Sequence, residues 1–309
     1  MIKKKPVIYI VGPTASGKTS FSVEIAKRFD GEIISGDSMQ IYKGMHIASA
    51  APDEQEMQGI PHHLFEFLNP VDKFSVCEYV KLANETIAKI HAKNKLPIVV
   101  GGTGLYVSSL ADNLAFDVET HTSDVRKEIE LEIEKNGLQE CYDFLKTIDP
   151  DAAEKISSND KKRIVRAIEI YRTSGKTKTQ IDIESKKDGT LYDNFFIGLN
   201  YFDREILYER INRRVNVMLE NGLISEAENA YKNISGTASQ AIGHKEFFEY
   251  FCGNMELDAA VERLKMQTRR YAKRQLTWFR NNENINWILM DKTENPLDLA
   301  CNFIEEFLN

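Results

Sequence analysis

The hydrophobic positions fall into two regimes. Up to about residue 118, and again from about residue 190, short unbroken apolar runs alternate with amphipathic stretches; between them only the helical period is found. Unbroken runs bounded by glycine or polar residues predict strands buried on both faces, as in a parallel sheet. They are Pro6 to Val11, Gly31 to Ser35, Leu96 to Val100, Asn194 to Asn200 and Ile285 to Met290. Amphipathic spacing predicts helices from about Thr19 to Phe29, Ser75 to Lys93, Arg204 to Asn221 and Asn295 to Leu308. Gly222 stops the third of these. Alternation of strand and helix predicts an α/β class with helices covering the sheet.

Directly after the first strand comes Gly12-Pro13-Thr14-Ala15-Ser16-Gly17-Lys18-Thr19, a match to G-x-x-x-x-G-K-[ST]. The glycines let backbone amides turn inward as an anion nest, Lys18 adds a point charge, and Thr19 offers a hydroxyl to Mg2+. The following helix points its positive end at the same place. The strand before and helix after give the motif its required context, so a di- or triphosphate is expected here, in a P-loop NTPase-like parallel sheet core flanked by helices. Residues 1–118 and 190–309 are expected to form that core with C-terminal basic helices, and 119–189 an all-helical insertion.

The second strand runs into Gly36-Asp37-Ser38-Met39-Gln40. Residues past the carboxyl ends of parallel strands line the ligand crevice, so Asp37 is either a carboxylate that takes a proton there or a turn aspartate. The third strand ends on Gly101-Gly102-Thr103-Gly104 where a nucleotide hydrolase or kinase carries a magnesium-holding aspartate. These glycines are expected to bring backbone close to a ligand, with Thr103 as a hydroxyl donor. His62 and His63 face opposite sides of an extended chain and read as structural. On the helix after residue 204, Arg210, Arg213 and Arg214 lie within five positions, and one could clamp a leaving group.

Net charge is −7, which taken alone argues against a polyanionic partner, but charge is unevenly placed. Glu119 to Glu154 holds eleven acidic and four basic residues, whereas Lys155 to Lys187 holds ten basic and four acidic. The second of these is either a solvated face or a surface for an anion. Arg263 to Arg280 has seven basic residues and no acidic one, with Leu264, Tyr271 and Trp278 as a seven-residue seam that can dock on the core. That density favours nucleic acid. Four scattered cysteines with no C-x-x-C pair favour reduced thiols, hence a cytoplasmic protein. No apolar run approaches the roughly 20 residues that cross a bilayer.

Taken together, Gly12 to Thr19, Asp37 to Tyr42, Pro61 to Leu64, Gly101 to Tyr106, Asn159-Asp160 with Arg163 and Arg166, Arg214 with Met218, Ala241 to Glu246, and Tyr271 to Phe279 resemble, in order and spacing, the bacterial tRNA dimethylallyltransferases along nearly the whole chain. The resemblance implies transfer of a dimethylallyl group from its diphosphate to the 6-amine of adenosine 37, next to the anticodon of tRNA. It implies that Lys18 and Arg214 hold the departing diphosphate with Mg2+ at Thr19, that Thr103 donates to the bridging oxygen, and that Asp37 takes the amine proton. It implies tRNA contacts at Asp37, Ser38, Met39, Gln40 and Thr103, at Arg126, Lys162, Arg163, Ile164, Val165 and Arg166, and at Gln240, Ala241, Ile242, Gly243, His244, Lys245, Arg270 and Arg274. The protein is expected to act as a monomer. His46 and Ala51 replace the family's usual aspartate and lysine, so no role in substrate binding is expected of the 46–51 loop.

Overall fold

Six parallel strands in the order β3-β2-β4-β1-β5-β6 form the sheet of the computed structural model, which describes residues 4–114, 123–185, 189–234 and 238–309. Strand β1 (Pro6–Val11) lies between β4 (Leu96–Gly101) and β5 (Asp193–Asn200), with Ile8 level with Ile98 and Phe195. Strands β2 (Gly31–Ser35) and β3 (His62–His63) extend one side, and β6 (Ile285–Leu289) the other. The short β3 was not legible as a strand; His63 there accepts its place by bonding buried Glu32 at 2.8 Å, a structural role.

The helices, in chain order, are α1 (Lys18–Arg28), α2 (His46–Ser49), α3 (Glu54–Met57), α4 (Val76–Ala92) and α5 (Gly104–Ala111). They continue with α6 (Ser123–Asn136), α7 (Leu138–Ile148), α8 (Pro150–Lys155), α9 (Lys161–Ser174) and α10 (Lys178–Glu184). The last five are α11 (Arg204–Glu220), α12 (Leu223–Asn233), α13 (Phe248–Phe251), α14 (Leu257–Phe279) and α15 (Pro296–Leu308). Local chemistry sets several of the ends. Ser75 and Glu78 form a capping box on α4, and Gly222, at φ +96°, separates α11 from α12.

Two compact units result, Met1–Ala111 with Thr190–Asn309, and Asp112–Gly189. The expected boundary at 118/119 lies outside the described residues, as does Lys187. In the first unit Ile8, Ile10, Val23, Ile25, Ile98 and Leu199 make a core between the sheet and α1 and α15. The second unit, α6 to α10, is helical throughout its described residues and packs Ile129, Leu145, Ile156, Ile164 and Ile168 together. Asp149 pins α10 to the start of α8, accepting from Ala152 N–H, Thr179 N–H and Thr179 Oγ1 at 3.2, 3.0 and 2.6 Å.

On α14 Ala260, Leu264, Ala272, Gln275 and Phe279 are buried. The expected seam docks along this side: Leu264 is buried, Tyr271 half-buried, and Trp278, though 45% exposed, covers Gly104 and donates to Ser108 Oγ.

Candidate active site

The phosphate loop is shaped by backbone conformations that its sequence permits only narrowly. Gly12 and Gly17 sit at φ +146° and +94°, and a Cβ on Gly12 would lie 2.3 Å from the Leu199 carbonyl oxygen. Ala15 is itself left-handed at φ +63°, and its carbonyl accepts from Arg210 Nε at 2.9 Å. Lys18 Nζ folds back to donate to Gly12 O and Pro13 O at 3.0 and 2.8 Å. Its pKa is lowered to about 7, by burial first and by the nearby Arg214 second, against the pull of Asp37.

Asp37 shares one cavity of about 820 Å³ with Lys18, Thr19, Arg210 and Arg214, all in the first unit. Its Oδ1 accepts from Met39 N–H at 2.9 Å, so it does make the turn bond that the bland reading foresaw. Burial nevertheless pushes its pKa up, opposed by that bond and by the charges of Lys18 and Arg214. One oxygen therefore holds the turn while the carboxyl group shares the cavity with the cationic cradle. Arg214 donates to Thr14 Oγ1 and Ala50 O at 3.4 and 3.3 Å, and burial lowers its pKa. Of the three arginines, Arg210 and Arg214 reach the loop and Arg213 is exposed.

Thr103 Oγ1 accepts from Ser38 N–H at 3.0 Å and donates to Ser38 Oγ at 3.3 Å, which ties the loop after β4 to the segment carrying Asp37. Of the glycines beside it, Gly101 and Gly102 line the cavity, and all three are also crowded by the protein itself. A Cβ on Gly101 would lie 2.2 Å from Gly36 O, on Gly102 2.1 Å from Gln275 Nε2, and on Gly104 2.3 Å from Trp278. Close approach here is to the protein's own β2 end and to α14.

The 46–51 loop also departs from expectation. It lines the cavity, and Glu226 holds it, accepting from Ile47 N–H and Ala48 N–H at 2.8 and 2.9 Å while bonding His244 Nε2 at 2.8 Å. Burial alone would raise the Glu226 pKa, but His244 and the two amides bring it below its ordinary value. His244 and Ala241, expected to contact RNA, are buried: the His244 side chain acts inside this clamp, and Ala241 packs with Ile41, Tyr42 and Met45 at the cavity wall. Gly243 is buried too, and a Cβ there would meet Ala48 at 2.9 Å. Ile164 and Val165 are likewise corrected: they are core residues of the second unit, on the inner side of a helix whose outer side carries exposed Lys162 and Arg163. Arg166 pairs with Glu169 at 2.9 Å and Arg126 lies 4.0 Å from Glu130. Gln240, Arg270 and Arg274 are exposed, and Ile242 and Lys245 half-buried.

Tyr271 and Gln275 line the cavity and Glu226 holds its 46–51 loop, roles that sequence reading did not assign to them. Tyr271 has its pKa pushed up by burial and by Asp37, while Thr103 and Gln275 act in the opposite direction.

Fold and site together define a P-loop transferase: a phosphate cradle facing a carboxylate, with glycines and a threonine at the end of β4 where a hydrolytic enzyme holds magnesium. A family model described as IPP transferase matches residues 40–282, and one described as isopentenyl transferase matches residues 5–66. The chain is 47% identical over 306 residues to the tRNA dimethylallyltransferase of Bacillus subtilis, covering 98% of this chain and 96% of that one. It is 48% identical over 299 residues to that of Acetivibrio thermocellus, covering 96% and 95%. The crystal structure of full-length tRNA isopentenylpyrophosphate transferase from Bacillus halodurans matches with a TM-score of 0.74 at 43% identity, over 99% of this chain and 97% of that one. A eukaryotic dimethylallyltransferase acting on tRNA matches with a TM-score of 0.80 at 30% identity, over 98% and 80%. The chain belongs to the tRNA dimethylallyltransferase family.

Proposed function

We propose that this protein transfers the dimethylallyl group of dimethylallyl diphosphate to the 6-amine of adenosine 37 in tRNA, releasing diphosphate. The observation that carries this reading is the convergence of Lys18, Arg214 and Asp37 on one cavity. As the allylic carbon–oxygen bond breaks, its electron pair goes to the diphosphate, and Lys18 and Arg214 are placed to stabilise that charge in a sheltered site. The amine nitrogen forms the new carbon–nitrogen bond and must lose a proton. Asp37, with its pKa raised toward the working range, is the group to take it. Thr103 would donate to the bridging oxygen by turning its proton away from Ser38.

Mg2+ fits the donor set: Thr19 lines the cavity with a hydroxyl, and a hard cation there would be shared with the phosphate oxygens. Among the described residues no three His, Cys, Asp or Glu side chains could hold a metal by themselves. When bound, the ion would add positive charge beside the leaving group.

For tRNA, Lys162, Arg163, Gln240, Arg270 and Arg274 are the exposed candidates, with Arg126, Arg166, Ile242 and Lys245 partly so. The target base has to leave its stack to reach Asp37. Action as a monomer is part of this proposal, and no helix among the described residues is long and apolar enough to cross a membrane. A cytoplasmic setting accords with the tRNA substrate and the free cysteines.

Labelled dimethylallyl diphosphate incubated with unmodified tRNA or with AMP tests the assignment. Label should enter tRNA only, and Asp37→Ala should lose turnover while keeping tRNA binding within a few fold. Label in AMP, or rapid ATP hydrolysis, would overturn it.

A further inference from the structure

Two loops of the site meet beneath α14, and a single side chain joins them. Gln275 is 5% exposed. Its Oε1 accepts from the Thr14 N–H at 2.8 Å and its Nε2 donates to the Gly102 carbonyl at 2.9 Å. Thr14 belongs to the phosphate loop and its hydroxyl receives Arg214. Gly102 precedes Thr103, whose hydroxyl holds the Asp37-Ser38 segment through Ser38. The contact is built for closeness, since Gly102 leaves no room for a Cβ against the amide, and two residues on Gly104 lies equally tight under Trp278. Trp278 in turn donates to Ser108 Oγ at 3.1 Å, so α14 is fastened to α5 three residues past the bridge.

We propose that Gln275 is a positioning residue for prenyl transfer, fixing the diphosphate cradle relative to the Gly102-Thr103 loop and, through Thr103, relative to Asp37. This rests on the function proposed above. A primary amide presents an acceptor and a donor on adjacent atoms, which is what one N–H and one carbonyl from two separate loops require. A carboxylate there would offer no donor to Gly102, and an apolar side chain would leave both backbone groups buried and unpaired. The bridge holds groups that must meet across a bond-breaking step, where an error of about 1 Å costs on the order of 100-fold in rate.

The test compares wild type, Gln275→Met, Gly102→Ala and the double variant in prenyl transfer to unmodified tRNA. Gln275→Met removes both bonds at similar volume; Gly102→Ala pushes the loop off the amide from the other side. Each single variant should lower kcat per folded molecule by roughly 10- to 100-fold, with the KM for tRNA within about twofold of wild type, over and above any fall in the thermal midpoint from the unpaired backbone groups. The double variant should be no slower than the worse single one, because both break one linkage. A kcat for folded Gln275→Met within about threefold of wild type would overturn the proposal, as would losses that multiply in the double variant. A purely structural glutamine would lower the thermal midpoint and leave kcat per folded molecule unchanged. Should Gln275→Met not fold, Gly102→Ala decides alone by the same kcat criterion. An inactive wild type would instead sink the proposed function, so the two failures are distinguishable.

Discussion

Lys18 gives the site a pH dependence whose size can be worked out. In the free protein its pKa is lowered to about 7 by burial and by Arg214. Binding a diphosphate surrounds the ammonium with negative charge and raises that pKa, so binding takes up a proton. The sign follows: affinity is full below pH 7 and is lost as pH rises above it, until the pKa of the complex is reached. If the complex titrates above about pH 9, the charged fraction of free Lys18 falls from half at pH 7 to roughly one in a hundred at pH 9, weakening binding by about 50-fold, or about 2.3 kcal/mol. Dimethylallyl diphosphate titrated calorimetrically without tRNA, in two buffers of different ionisation enthalpy, reads both affinity and proton uptake. Lys18→Arg stays charged throughout this range. The ligand's own titration is common to both proteins, so the ratio of their Kd values isolates Lys18. A ratio constant within about threefold from pH 6 to 9, or no proton uptake by wild type near pH 8, would refute the account.

Three further outcomes follow from the geometry. Asp37→Asn should lower kcat by roughly 10²- to 10⁴-fold, the usual weight of a positioned general base, with rapid-quench assays showing the loss in the chemical step. Glu226→Gln leaves fewer acceptors for Ile47, Ala48 and His244; thermal and urea melts should show a loss of about 1–3 kcal/mol. Because the Glu226 pKa is depressed in the folded protein, its contribution is present above about pH 4.5 and disappears as pH falls through the folded value, so wild type and variant should converge in acid. Ile164→Ala should cost about 2–5 kcal/mol of stability through a core cavity, whereas Arg163→Ala should leave stability alone and reduce the salt slope of tRNA binding by somewhat under one unit.

The phosphate loop, the strands and the place of Asp37 were legible because each is written within a few consecutive residues. Apolar runs set β1, β2, β4, β5 and β6, and the position past β2 put Asp37 in the crevice. The groups that lock the site are of another kind. Gln275 meets Thr14 across 261 residues, and Glu226 meets Ile47 across 179; periodicity within one helix carries no information about either partner. Ile164, Val165 and His244 came as tRNA contacts with the blocks that carry the family resemblance, and their side chains are buried; a block of matching residues does not say which of its members face inward, and every helix with a charged face has an apolar one. The glycines at 101, 102 and 104 were rightly read as marking close approach, but a missing Cβ reports crowding without naming the neighbour: Gly101 and Gly102 line the cavity, and what presses on them is Gly36 and Gln275.

The pairing of β1 with β5 bears on how the enzyme is made. Residues 6–11 emerge early from the ribosome, yet their hydrogen-bonded neighbour on one side is residues 193–198, and the amide that braces Thr14 comes later still, at residue 275. A nascent chain therefore carries a P-loop on a half-formed sheet while most of the protein is still being synthesised. Such non-local closure slows folding and leaves a strand edge open in the meantime. Truncated chains ending before residue 193 should accordingly bind chaperones or aggregate rather than display a working cradle.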